Sequence, residues 1–563
     1  MASKTFVDRV TPIDAEWLND TNTITYGIGS TASGKGASLI GYKSTLTGAS
    51  TSRSVQDKLQ ESVSVKDFGA VSDGNFATGS GTDNLAAFNL AIASLSTGGG
   101  GFVKIPAGIY KLSAQLQIPS GISIVGEGSW SSILFCSTAF TDITGLVRVN
   151  GTGGYPTRIS SLGILSQTGG CTGYGLVSVK NGTFMDNLWV SGFGVGISVG
   201  QTDNFLDSFA VELCTTNIYV TQTDVNISNG TVYQGAIGLT VANGAASGNG
   251  RVHVSNVRAT QQQQTGFTVS AGKQVLFEGC SASADTATSF FTVAAMLVDT
   301  SSDVVINGFS AKIGGTPSTT GTGIKFVGGS SDCIVNGSKL TGFVDGITET
   351  SCSRITVDGC QLTANGRSGM YLTNGTNIVA TGNQCYNNGT GTGSDYGIIS
   401  SNGDALGVHT VVGNVCNQAV GGNQDYGISA TVSGSGYTTI VGNTALNNNT
   451  YDIYLAGTTS SIKLSQNMAG TVFDTAPSVA SAATVTLPIS VDVVSVTGTT
   501  TITSITAAGC ARRVVTLNFV GVLTLTSGSN LKLASNFVTT NDDTITMYCD
   551  GTNWFEIARS VNA

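Results

Sequence analysis

The sequence predicts an all-β chain whose bulk is a parallel β-helix, and three observations predict it. The first is composition. Of 563 residues, 76 are Gly and 7 are Pro, with 10% charged and 40% hydrophobic. Gly is near twice its usual ~7%, while Pro and charge fall far below average. Such a chain is too apolar and too weakly charged for disorder, and too poor in Pro for collagen. It also has no Glu, Lys and Leu heptads for a coiled coil. The second observation is a repeat: apolar, any, apolar, any, then a Gly, Asn or Ser anchor. It is clearest as Val275-x-Phe277-x-Gly279, Val304-x-Ile306-x-Gly308, Ile355-x-Val357-x-Gly359 and Ile378-x-Ala380-x-Gly382. Weaker copies end at Ser161, Asn187, Ser208, Asn229, Asn256, Gly337, Gly413, Gly442 and Gln466, about 25 residues per step. The third is a small residue followed by an apolar one between anchors, as in Gly175-Leu176, Gly196-Ile197, Asn217-Ile218 and Gly238-Leu239. Each unit therefore holds two or three short alternating strands and no helix. A unit this small cannot bury its own apolar face, but stacked units can.

The elements follow in chain order. Residues 1–62 are polar, with an amphipathic piece at Trp17 and Leu18 and then Gly, Ser and Thr, which reads as an anchor and linker. Leu85, Phe88, Ile92 and Leu95 recur at helical spacing behind Asp83 as N-cap, predicting a helix that closes the open end of the solenoid. The solenoid itself is expected over residues 63–475 in about 13 coils. Within it Asn383, Asn414, Asn443 and Asn467 share one register and are expected to satisfy one another inside the coil; Cys385 and Cys416 share another. From residue 476 the repeat stops. Short strands such as 491–496, Val514–Phe519 and 544–548 predict a separate β-sandwich-like domain over 476–563.

The bulk numbers limit function. Net charge is −9 and the basic residues are scattered, so no basic patch argues for nucleic acid. No apolar run reaches the ~18 residues of a membrane span, so no membrane insertion is expected. The first twenty residues lack a secretory apolar core, which predicts folding in a cytoplasm. Eleven Cys without CxxC spacing predict buried, reduced thiols rather than zinc or disulfides. Two His leave little material for a metal site or a Ser-His-Asp triad, and no cofactor or metal is expected.

Three passages carry a resemblance. The run Val63-Ser64-Val65-Lys66-Asp67-Phe68-Gly69-Ala70-Val71, with Asp73-Gly74 and Thr82-Asp83, resembles the opening of pectate-lyase-superfamily β-helices. Val103-Lys104-Ile105-Pro106-Ala107-Gly108-Ile109-Tyr110 and Ile124-Val125-Gly126-Glu127-Gly128 resemble the first coils of that family. Phe6-Val7-Asp8-Arg9-Val10-Thr11-Pro12, with Ala15-Glu16-Trp17-Leu18-Asn19, resembles the virion-binding peptide of short-tailed phage tailspikes. The stretch Cys549-Asp550-Gly551-Thr552-Asn553-Trp554-Phe555-Glu556 resembles their C-terminal β-domain. The resemblance implies a right-handed β-helix and a homotrimeric bacteriophage tailspike, made in the host cytoplasm and carried on the virion tail. It further implies attachment to a phage tail or baseplate protein through the N-terminus. The C-terminal domain would serve trimerisation or sugar binding. The partner implied is a bacterial capsule or lipopolysaccharide glycan, bound and usually depolymerised. The opening motif is structural in that family, so Asp67, Asp73 and Asp83 read as turn and cap residues and no catalytic residue transfers.

A site must then be sought from chemistry. Glycoside hydrolysis takes two carboxylates, about 5 Å apart for retention or roughly 6.5–9.5 Å for inversion. A β-elimination takes a base and a cation to neutralise a uronate. Equal registers in adjacent coils lie about 4.8 Å apart, so stacked residues supply either set. Asp186 and Asp207 stack just before their anchors, and their repulsion is expected to hold a proton on one of them to higher pH. Glu212 and Tyr233 lie four past their anchors, Trp189 and Arg258 two past. The first-choice groove is Asp186, Asp207 and Glu212 as catalytic groups, with Trp189, Tyr233 and Arg258 binding sugar. Against it stands an outward apolar stripe, Phe184, Phe205, Val305 and Ile334, that suits a trimer contact beside the two aspartates. An alternative site is Arg367, Asp395, Tyr396, Asp425 and Tyr426, with Tyr451 level with the tyrosines: either a sugar subsite, a base–cation pair, or a self-neutralising ladder. Gln261, Gln262, Gln263 and Gln264 read as an exposed polar loop, His253 as an outward acid/base candidate, and Glu349 with Arg354 as a turn pair. The leading reading is a depolymerase, hydrolase before lyase; the other is a non-catalytic receptor-binding tail protein.

Overall fold

Leu85–Ser96 forms a helix (α1) because Ala87, Phe88, Ala91 and Ile92 present one buried face. Asp83 accepts from the Leu85 N–H at 3.2 Å, capping its first turn. Phe88 meets Tyr110 edge-on at 5.7 Å, which plugs the first coils. In this computed structural model the described residues are 36–43, 52–59, 62–96, 100–152, 154–245, 250–285, 290–390, 393–403, 407–457, 461–473, 478–488 and 491–562. The N-terminal motif resembling a virion-binding peptide lies outside them.

Behind α1 the chain winds as a parallel solenoid. One face is a fifteen-stranded parallel sheet running from Leu116–Ile118 to Val472–Phe473. The opposite side carries the remaining parallel strands, among them four nine-residue strands: β1 (Thr183–Ser191), β2 (Asn204–Glu212), β3 (Val225–Tyr233) and β4 (Val252–Thr260). One continuous apolar core fills the tube from Val65 to Ile462. There are about 17 turns, more than the 13 expected. The anchor pattern counts from Ser161 onward, whereas strands such as Gly101–Ile105 and Ile122–Gly126 already stack before it without an anchor in that register.

The anchors have a common conformation. All thirteen take positive φ, from 50° at Asn187 to 65° at Gly413 and Gly442. This is the left-handed region that Gly adopts freely and Asn tolerates. Each anchor bends its strand. At Gly279 the bend divides the element outright, leaving Lys273–Glu278 and Ser281–Ala284, both of which pair with β4. The small residues of the second signature have a different cause. A Cβ on Gly346, Gly369 or Gly397 would stand 2.5–2.6 Å from the next coil's carbonyl oxygen. The following Ile347, Met370 and Ile398 are fully buried.

The asparagine register closes as expected. Asn383, Asn414 and Asn443 each donate Nδ2 to the Oδ1 of the next, ending on Asn467, at 2.9–3.0 Å. A second buried ladder, Asn365–Asn388–Gln424–Asn448, runs beside it. The cysteines of the described chain are free, and all but Cys171 are buried. A second core, from Val485 to Trp554, is enclosed by a six-stranded mixed sheet and two two-stranded sheets.

Candidate functional site

The four long strands stack in the registers the sequence predicted. Asp186 pairs with Asp207, then Ser228 and Ser255; Trp189 lies level with Ala210, Thr231 and Arg258; Glu212 lies level with Tyr233 and Thr260. The left-handed residues Asn187, Ser208, Asn229 and Asn256 fall between the first row and the other two. The six first-choice residues therefore occupy two facets of the solenoid, not one groove.

Both aspartates of the first facet are already held by neighbours. Arg158 grips Asp186 through Nε and Nη2 at 2.7 and 2.9 Å, and the Ser160 hydroxyl adds a third bond at 2.9 Å. Asp207 accepts from the Ser208 and Ser228 hydroxyls, both at 2.6 Å, and from Asn229 Nδ2 at 2.7 Å. These donors, Ser208 and Ser228 foremost, hold the Asp207 carboxyl below its ordinary range. The expected proton retention is thus not found at Asp207: three donors supplied by its neighbours favour its charged form. The same facet carries the apolar residues in their predicted register, Phe184 on Phe205 with rings 4.9 Å apart and nearly parallel, then, past Asn226 and His253, Leu276, Val305 and Ile334. His253 meets Glu278 at 3.2 Å.

Trp189 and Glu212 come together on the other facet. The indole N–H of Trp189 donates to Glu212 Oε1 at 2.9 Å. Trp130, an exposed side chain from the preceding loop, stacks on Trp189 with centroids 3.8 Å apart. Beneath them Phe76 and Trp189 pack on Ile133, Phe135 and Leu165. The result is a cleft of about 460 Å³ lined by Phe76, Gln167, Trp189, Glu212 and Leu213 among others. Leu213 also lines the next cleft, about 580 Å³, with Gln234, Gln261, Gln263, Gln264 and Phe290. The two clefts share Leu213 and follow one another from coil to coil along the solenoid. Gln234 Nε2 donates to Gln261 Oε1 at 3.0 Å, and Gln261 Nε2 to Asp285 Oδ2 at 2.7 Å. Gln262, expected outside, is buried and accepts from the Gly235 N–H. Tyr233 and Arg258 share this sheet face but line neither cleft. Sequence reasoning missed Trp130 and Phe76, which precede the first anchor and so have no register to be read from.

The alternative site is rearranged. Tyr396, Tyr426 and Tyr451 are level, and the first two rings stack at 5.0 Å. Arg367, however, turns back one coil to the buried Asp345, with Nε at 3.0 Å from Oδ1, and lies over the Tyr371 ring. It does not ladder with Asp395 and Asp425, because Asp345 is a buried carboxylate that takes both arms of its guanidinium. Glu349 and Arg354 are not a turn pair either. Arg354 binds Asp332, while Glu349 points into the core and accepts from the Cys352 and Thr373 N–H groups at 2.7 and 3.2 Å. Burial pushes the Glu349 carboxyl up to about 7. Nearby His409 is buried between the Ser400 hydroxyl and the Gly375 carbonyl, and burial pushes it down to about 4. Among the described residues no helix is long and apolar enough to cross a membrane, and no group of three His, Cys, Asp or Glu gathers as a metal site.

A stacked parallel coil with successive clefts along its surface is the architecture of a right-handed parallel β-helix, and comparison with known proteins agrees. Residues 297–469 match the family described as right handed beta helix region, and residues 62–170 match rhamnogalacturonase A/epimerase, pectate lyase-like. Mannuronan C5-epimerase AlgE3 of Azotobacter vinelandii is 37% identical over 92 residues, which is 15% of this chain and 5% of that enzyme. The chain spans 5–9% of the length of the curated relatives it matches. Among solved structures, a double mutant of the tailspike protein of E. coli bacteriophage HK620 aligns over 96% of this chain and 98% of its own, with 13% identity and a TM-score of 0.50. The A-module of A. vinelandii mannuronan C-5 epimerase AlgE6 aligns over 73% and 99%, with 15% identity and a TM-score of 0.41. Phage tailspike proteins are thus among the solved structures that share this fold.

Proposed function

We propose that this chain is a bacteriophage tailspike that binds a bacterial surface polysaccharide, capsule or O-antigen, in a groove formed by the two clefts and depolymerises it. The observation that carries the reading is Trp189, stacked under the exposed Trp130 and bonded to Glu212, in the wall of an open cleft that adjoins a second one. An indole face packs on the apolar side of a pyranose, and amides and a carboxylate take its hydroxyls. Glu212 is the favoured proton donor. Hydrolysis would bond a water oxygen to the anomeric carbon as the bond to the leaving oxygen breaks, with Glu212 supplying the leaving oxygen's proton and a base taking one from water. Asp207 is the second candidate carboxylate, across the corner; Asp186, held by Arg158, is proposed as structural.

The remaining expectations fit this role. The apolar residues Phe184, Phe205 and Ile334 are proposed as the contact of a homotrimer, on a facet that leaves the groove free. The N-terminal segment is proposed to dock on a tail protein of the virion, after synthesis in the host cytoplasm. The domain division at 62 and 475 is proposed with it, the C-terminal domain clamping the trimer or adding a sugar contact. One observation favours a second reading, a non-catalytic receptor-binding tail protein: Glu212 is the sole carboxylate among the described residues lining the two clefts. Incubating the purified protein with capsule and lipopolysaccharide of host strains separates the two. Shortened polymer with new reducing ends is expected; polymer that binds but stays full length supports the receptor reading.

A further inference from the structure

The groove has a charge character as well as a shape. Its polar lining is amide and hydroxyl: Gln167, Gln234, Gln261, Gln263 and Gln264, with Ser166, Thr168, Ser191 and Thr292. The charge that is present is negative. Glu212 sits in the first cleft, and Asp285 holds Gln261 at the edge of the second. Among the described lining residues none is cationic. The cations in the rows of Glu212 and Arg258, namely Lys111, Arg258, Lys312 and Lys339, line neither cleft. Gln side chains donate and accept, so they match hydroxyls and N-acetyl groups, which do the same. A carboxylate or phosphate on the glycan would lose water beside Glu212 with no cation to receive it.

Resting on the groove assigned above, we propose that its substrate is an uncharged glycan, built of neutral hexoses, deoxyhexoses or N-acetylhexosamines, and not a uronate, sialate or phosphate polymer. The reaction class follows. β-Elimination begins by removing the proton beside a uronate carboxylate that a cation has neutralised, so a neutral chain leaves hydrolysis, with Glu212 able to protonate the leaving oxygen.

The test uses the full-length protein and a panel of purified bacterial capsules and O-antigens, half neutral and half carrying uronate, sialate or phosphate. Binding is measured at 50 and 500 mM NaCl, alongside Trp189→Ala. The inference expects retained glycans to be neutral, with affinity changing less than about two-fold across that salt range, and lost in Trp189→Ala. It is overturned by an anionic glycan whose binding Trp189→Ala abolishes and salt weakens. Binding that Trp189→Ala leaves intact overturns the groove itself, as does a panel on which nothing is retained. In a variant that keeps the fold, Gln234→Lys should raise retention of anionic glycans several-fold; no gain counts against an electrostatic origin for the selectivity.

Discussion

The coils at 157–260 and those at 345–469 stack on one register but put their polar chemistry on opposite sides of the wall. In the early coils the interior is apolar apart from single polar side chains such as Asn204 and Asn217, held by local bonds, and Trp189, Glu212 and the glutamines face outward around the clefts. In the late coils the interior holds two amide ladders, Glu349 and His409, while the outer tyrosines lie against one another. The difference is one of partners. Asn414 is tolerable inside because Asn383 and Asn443 satisfy it on both sides, leaving no orphaned polar atom. Tyr396 and Tyr426 stack along the axis and each covers a face of the other, as Trp130 covers one face of Trp189. Glu212 and Trp189 satisfy each other and still leave indole and carboxylate edges on open space. Ladder residues support the coil.

The largest expected effect tests that contrast directly. Glu212→Gln keeps an acceptor for the Trp189 N–H but removes the proton donor, and should lower glycan cleavage by about 10²–10⁴-fold. Binding should change little, and thermal stability should stay within error. Arg367→Lys, in the late coils, should leave cleavage unchanged. If Arg367→Lys matches the loss in Glu212→Gln, the active groove lies in the late coils.

The second prediction concerns the late interior and pH. Glu349 has a folded pKa of about 7 against an ordinary 4.5. Between those values only the folded state holds the proton, so stability from Glu349 is full below 4.5 and is lost as pH rises to 7. His409 has a folded value of about 4 against 6.5. Between those values only the unfolded state holds the proton, so stability from His409 is full above 6.5 and is lost as pH falls to 4. Each amounts to about 3 kcal/mol, of opposite slope, over nearly the same window. The wild type should therefore be level between pH 4.5 and 6.5 as far as these groups are concerned. His409→Gln should unmask Glu349, giving a thermal midpoint that falls steadily from pH 4.5 to 7. A variant with the wild-type profile would show that the two groups do not titrate as their burial dictates.

Much of this was legible in the sequence because coil stacking repeats a register. The anchors, the outward rows, the Asn383–Asn467 ladder and α1 all follow from spacing that a reader can count. The second amide ladder was hidden because its loops differ in length: Asn388 and Gln424 are 36 residues apart, Gln424 and Asn448 only 24. The groove was half legible. Trp189 and Glu212 emerged from their registers, but the left-handed anchor that throws Asp186 and Asp207 onto another facet reads as an ordinary turn residue. Partners were harder still. Nothing in the spacing says that Arg158 will take Asp186, or that Arg367 will reach back to Asp345, because long side chains choose among coils by geometry that spacing does not carry.

The smallest predicted effect sharpens the comparison between the two aromatic sets. Trp130 stacks on Trp189 at 3.8 Å and stays exposed beside the first cleft without lining it, so its outer face is free for a ligand that extends past the cleft. Aromatic stacking beyond simple burial contributes about 0.5–1.5 kcal/mol, so Trp130→Ala should weaken glycan affinity by roughly two- to twelve-fold with no change in fold. Tyr426 is wedged between Tyr396 at 5.0 Å and Tyr454 at 5.4 Å, and its hydroxyl is raised by burial and then by the neighbouring Tyr396 and Asp425 charges. Tyr426→Phe keeps the ring and removes that hydroxyl, and should leave glycan affinity within two-fold. Calorimetric titration with one oligosaccharide reads both. Equal losses would mean that the tyrosine ladder, despite its covered faces, forms part of the sugar path, and the groove would then have to extend from Trp130 to the last coils.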